Sequence, residues 1–92
     1  MSEFTIEDTR PMKKKSDKTF QDLRVRLSSR LARIRLERRL TFEMVADRAG
    51  LHWRHVQKIE AGEVNVTLMT LARLATGLSI DVEELVSRAG AR

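Results

Sequence analysis

Cysteine is absent from the 92 residues, proline occurs once, at Pro11, and aromatic side chains make up 4% of the chain. Without cysteine there is no disulfide framework and no thiolate nucleophile, and zinc sites that depend on thiolates are excluded. Three phenylalanines and one tryptophan are too few rings to stack a run of unpaired bases, which disfavours RNA. Long hydrophobic runs are also missing. No charged start leads into an apolar stretch with a small-residue cleavage site, so neither a transmembrane helix nor a signal peptide is expected. The chain is expected to be soluble and cytoplasmic.

Charge is plentiful and unevenly placed. The net value of +5 combines three regions: −3 over residues 1–9, +10 from Arg10 to Lys58, where fifteen Lys/Arg face five Asp/Glu, and −2 over residues 59–92. A central concentration of this kind is what a polyanion-binding surface needs. Basic balance alone does not decide between that and solubility or an acidic protein partner, so the spacing of residues must.

The chain has the size of one domain. Residues 1–18, "MSEFTIEDTRPMKKKSDK", carry no apolar period and end in a lysine cluster, and they read as a flexible basic arm. Residues 19–92 form the domain. Thr19 with Asp22 three residues on marks a helix start. Phe20, Leu23, Leu27, Leu31 and Ile34 then recur every three or four residues, with arginines on the other faces, which predicts an amphipathic helix over roughly 20–38. Thr41 caps a second helix that closes on Gly50, the residue that most cheaply turns left-handed after a helix. "LHWRHVQKIEAG" gives a third helix with Val56 and Ile59 inward, stopped at Gly62. Thr67 caps a fourth, whose buried stripe is Leu68, Leu71, Leu74, Ala75 and Leu78. Gly77 within that stripe costs about 1 kcal/mol of helix propensity against alanine and implies close packing or an early end. Asp81 and Glu84 make a capping box for a fifth helix bearing Val82, Leu85 and Val86. No segment alternates with period two, so the fold is all-α, with five helices.

Two short helices joined by a Gly-containing turn, the second polar outside, make a helix-turn-helix. Ala46 is small where the helices cross, Gly50 turns the chain, and Leu51 and Val56 fill the angle between them. The side chains at 53, 54, 57 and 58 are then left pointing outward, where a major groove would meet them.

This stretch and its surroundings resemble the DNA-binding domain of the lambda-type phage repressors and Cro, the XRE-type regulators, over about residues 27–86. "LTFEMVADRAGL" stands for the family's Leu-Thr-Gln-x-x-Leu-Ala-x-x-x-Gly-Val, "VQKIEAG" for Ile-Ser-x-Ile-Glu-x-Gly, and "TLMTLARLATGLSIDVEELV" is similar to its last two helices. The resemblance implies a five-helix lambda-repressor-like domain with the helix-turn-helix at helices two and three. It also implies a structural ion pair between Arg35 and Glu60, each one residue beyond a buried isoleucine. There are departures from the family pattern. Phe42 replaces a glutamine that bridges to phosphate, His52 takes the Ser/Thr cap position, Trp53 replaces a small or polar base-contacting residue, and Val66 replaces a frequent proline.

The candidate DNA-binding residues are Trp53, Arg54, Gln57 and Lys58 on the third helix, with His52, His55, Thr41, Phe42 and Asn65 around it and Arg38 and Arg39 near the first turn. Trp53 either touches thymine methyls or the sugar-phosphate edge, or is partly buried against Phe42 or the following loop. Arg54 is the candidate for a bidentate guanine contact or for a phosphate, while Gln57 and Lys58 reach bases or backbone. The first-helix arginines are either a solvated face or partly phosphate contacts. Lys13 to Lys15 are either part of an arm that follows the duplex or a solubilising tail. His52 and His55 are only two potential metal ligands, so no metal site is expected. Neither a nucleophile–base constellation nor a cofactor or small-molecule site is visible, so no enzyme activity is expected.

The expected function is therefore a sequence-specific, repressor-like transcriptional regulator of double-stranded DNA, nucleoid-associated when bound. A homodimer is expected because one recognition helix reads few base pairs. Val82, Leu85 and Val86, with the exposed Leu36, are candidates for its interface, unless they only complete the core. The rival is a protein-interaction module, such as an antitoxin or antirepressor, that docks a partner through Trp53 and Phe42.

Overall fold

The computed structural model describes residues 6–88, with side chains from residue 13 onward. Its elements are α1 (Ile6–Glu37), α2 (Phe42–Ala49), α3 (Trp53–Glu60), α4 (Leu68–Leu78) and α5 (Glu83–Val86). There is no strand among the described residues. The five-helix, all-α expectation holds.

The core is the set of residues that periodicity turned inward. Leu27 and Leu31 of α1, Val45, Ala46 and Ala49 of α2, Val56 and Ile59 of α3, Leu74, Ala75 and Leu78 of α4 and Leu85 of α5 are buried together with Leu40. Each fully buried aliphatic side chain contributes about 1.5–3 kcal/mol relative to exposure. Helix ends are fixed by short polar side chains. Thr41 Oγ1 accepts from the Met44 N–H at 3.0 Å, and Thr67 Oγ1 accepts from the Thr70 N–H at 3.0 Å. Gly50 takes φ 69° after α2 and sends its N–H to the Ala46 carbonyl. Gly77 owes its place to packing: a Cβ there would sit 2.7 Å from the carbonyl carbon and oxygen of Arg48, so α4 crosses α2 nearly backbone to backbone.

Four expectations are corrected. The first helix does not start at Thr19 but runs unbroken from Ile6 through Pro11 to Glu37, so residues 6–18 of the expected arm are helical; residues 1–5 lie outside the described region. Helix propensity and i,i+4 pairing, as between Lys18 Nζ and Asp22 Oδ2 at 3.8 Å, extend α1 past the point where its apolar stripe ends. Leu68, placed in the buried stripe, is 84% exposed, because as the first residue of α4 it lies beyond the edge of the core. The Asp81–Glu84 capping box is not formed: the N-cap of α5 is Val82, without a side-chain bond, and the Asp81 carbonyl instead accepts from the Glu84 N–H at 3.0 Å. Leu85, offered as a dimer contact, is fully buried in the monomer's core.

Candidate nucleic-acid interface

α3 is held from one side only. Val56 and Ile59, three residues apart, are buried, and α2 supports them through Val45 and Ala46. The turn is closed by Gly50 and by Leu51, whose N–H reaches the Ala46 carbonyl at 2.9 Å. With these positions fixed inward, Arg54, Gln57 and Lys58 are all exposed. A helix anchored this way presents one polar face to whatever lies in front of it.

The N-terminus of α3 carries an aromatic platform. His52 is its N-cap, and its Nδ1 accepts from the Arg54 N–H at 3.1 Å, which satisfies one of the donors a helix start leaves free. The His52 ring stacks on Trp53 with centroids 5.8 Å apart and planes at 27°. The Arg54 guanidinium lies 5.4 Å from the centre of the Trp53 ring. Trp53 is half-buried against the core, so it orders its two neighbours, and His55, two residues on, is half-buried as well.

The other end of α3 is locked to α1. Arg35 donates Nε–H to Glu60 Oε2 at 2.6 Å and Nη2–H to Oε1 at 3.1 Å, a bidentate pair. Its Nη1 donates to the Leu40 carbonyl at 3.0 Å. With side-chain exposures of 15% and 8%, the pair is largely out of water, where forked Arg–carboxylate geometry matters most. The Arg35 guanidinium also lies 4.2 Å from the centre of the Phe42 ring. Phe42 therefore belongs to this structural cluster and packs inward, not in the outer surface where the sequence put it.

Other arginines of the region are tied to the fold in ways their spacing did not show. Arg38 Nη1 donates to the Leu78 carbonyl, capping the C-terminus of α4, which places it in a structural contact instead of the expected phosphate contact. Arg30 donates to Ser87 Oγ at 2.6 and 3.0 Å, and Arg26 donates to the Val86 carbonyl at 3.4 Å. Arg39, in the turn after α1 with φ 56°, is exposed, as are Thr41 and Asn65. Thr41 is occupied as a cap. Met44, exposed on α2 with its sulfur accepting from the Thr41 N–H at 3.4 Å, joins the outer surface; an unbranched apolar residue among charges gave no sequence signal.

A family model described as a helix-turn-helix domain matches residues 26–87. The chain belongs to the helix-turn-helix family. The resemblance to XRE-type regulators is borne out by the relatives of this helix-turn-helix protein. It is 38% identical over 66 residues to the uncharacterized HTH-type transcriptional regulator y4dJ of Sinorhizobium fredii, covering 72% of this chain and 86% of that one. It is 35% identical over 75 residues to control protein C.SmaI of Serratia marcescens, covering 82% and 89%. Among solved structures it is similar to the restriction-modification controller protein C.AhdI of Aeromonas hydrophila. That match has a TM-score of 0.65 and 35% identity and covers 67% of this chain and 94% of that one. The family match begins at residue 26, so the exposed residues 13–23 of α1 lie outside it.

Proposed function

We propose that this DNA-binding transcriptional regulator is repressor-like and sequence-specific, and that it acts by laying α3 in the major groove of duplex DNA. One observation carries the reading: Arg54, Gln57 and Lys58 are uncovered on a helix whose opposite side is clamped into the core. Had the rest of the chain covered them, groove entry would be impossible. The family match and the names of the relatives support the same class of function.

Within this reading Arg54 is the base-reading side chain, pre-oriented by Trp53 and suited to a bidentate contact with guanine. Gln57 and Lys58 follow one turn on, Thr41, Arg39 and Asn65 flank the groove, and His52, His55 and Trp53 shape the helix start against the sugar-phosphate edge. Lys13 to Lys15, on exposed turns of α1, add phosphate contacts as a stiff helical extension. The site is read by a homodimer in the cytoplasm, and no helix among the described residues is long and apolar enough to cross a membrane.

The partner-docking alternative is weaker, because Phe42 is half-buried with the Arg35 guanidinium over its ring and Trp53 is half-buried against the core, so neither ring is fully presented to a partner. Selection of bound sequences from random duplex DNA, with wild type and Arg54→Ala, tests the reading. Loss of discrimination at one base pair per half-site, worth about 1–3 kcal/mol, is expected. An unaltered preference transfers base reading from Arg54 to another residue.

A further inference from the structure

Away from the outer face of α3, the fold contains an apolar groove with a charge in it. Phe20, Leu23 and Leu27 of α1, Val66 of the loop between α3 and α4, Leu71 of α4 and Val86 of α5 line a space of about 170 Å³. Val66, Leu71 and Val86 are partly buried and packed against the core, so the groove is built into the fold. Phe20 and Leu23 are each 38% exposed, so it opens to solvent.

Arg24 and Asn65 are its polar residues. The Arg24 guanidinium lies 5.2 Å from the centre of the Phe20 ring, and its Nε is buried with no hydrogen-bond partner. Buried donors are nearly always paired, and a charged one is costlier to leave alone than a neutral one. Arg35 shows in the same chain what such a group takes: its Nε–H and Nη2–H are satisfied by the two carboxylate oxygens of Glu60. At Arg24 the Nε–H has no such counterpart.

We infer that this groove is a binding site for a small apolar monocarboxylate, whose carboxylate accepts from Arg24 while its hydrocarbon body lies along Leu23, Val66 and Leu71. A mostly apolar pocket with a few polar groups that fix orientation is the usual form of a small-ligand site. The space holds on the order of ten non-hydrogen atoms, which suits an aliphatic or aryl acid and is too small for a nucleotide. A DNA phosphate does not fit, because the apolar walls would strip its water without replacing it. Arg54, Gln57 and Lys58 do not line the groove, so the site does not depend on their role.

Titration of the full chain with sodium octanoate, sodium phenylacetate and the uncharged octanol, followed by amide NMR with no DNA present, tests the inference. Shifts are expected at the Arg24 Nε–H and at the Val64, Asn65 and Val66 amides. At least one acid is expected to bind about tenfold or more tightly than octanol, the advantage of a hydrogen bond to a charged group; the two acids tell a chain from a ring as its hydrocarbon body. In Arg24→Gln that advantage is expected to vanish while octanol still binds. The inference is overturned by shifts confined to the basic face of α3, by the absence of shifts at millimolar acid, by equal affinity for acid and alcohol, or by an advantage that survives Arg24→Gln. Where Arg24→Gln does not fold, the wild-type comparison of acid with alcohol and the position of the shifts decide by themselves. Each of these failures leaves the proposed role of α3 on DNA standing.

Discussion

Arg35 and Glu60 show how much rests on single side chains. Replacing Glu60 with alanine leaves a guanidinium only 15% exposed with the Leu40 carbonyl as its remaining hydrogen-bond acceptor. Breaking a buried pair from one side costs about 3–5 kcal/mol, whereas an exposed pair contributes under about 1 kcal/mol. The melting temperature of Glu60→Ala is therefore expected to fall by on the order of 10 °C or more; an unchanged melt would show that the pair does not hold α3 to α1. Gly77→Ala sets two effects against each other. Alanine gains about 1 kcal/mol of helix propensity, but its methyl would meet the Arg48 backbone at 2.7 Å, and overpacking costs about 1–3 kcal/mol. The clash is with main chain, which cannot swing aside, so the denaturation midpoint is expected to drop. A stabilised variant would mean that α4 and α2 lie further apart.

Among the elements, the two short helices of the motif were legible because each has a capping residue and a left-handed stop. Thr41, Gly50 and Thr67 do what local chemistry requires of them. Thr67→Ala removes the acceptor for the Thr70 N–H and is expected to cost about 1 kcal/mol, read as a lower melting temperature; no change would assign that cap to water. α1 was legible only where it packs. Its apolar spacing stops at Phe20, but the helix continues to Ile6, sustained by local propensity with no stripe to reveal it. Residues 13–23 are exposed on every side, so deleting residues 1–18 is expected to leave the core's melt nearly unchanged. The same deletion is expected to flatten the salt dependence of DNA affinity by about 0.9 in log–log slope per lost phosphate contact. An unaltered slope would remove the lysines from the interface.

For the whole molecule, the distribution of charge becomes a prediction about binding. The excess of positive charge from Arg10 to Lys58 lies on α1, α2 and α3, while the acidic Asp81, Glu83 and Glu84 lie at the other end of the chain. Affinity for duplex DNA is expected to fall steeply between low and moderate salt, as counterion release dictates. An affinity indifferent to salt would favour an apolar protein partner instead. Charge counts overstated the free cations, however: besides the expected Arg35–Glu60 pair, Arg26, Arg30 and Arg38 bond to distant parts of the same chain, which no spacing rule discloses.

By itself the sequence determined the helix count, the turn at Gly50, the inward role of Val56 and Ile59 and hence the outward face of α3. All of these follow from periodicity and capping, which act over a few residues. Only the tertiary structure decided that Phe42 lies under Arg35, that Arg38 caps α4, that Leu85 is sealed in the core and that Leu68 stands clear of it. Such outcomes depend on which distant segments meet, and a one-dimensional pattern gives the side of a helix that turns inward without saying where the partner it turns toward ends.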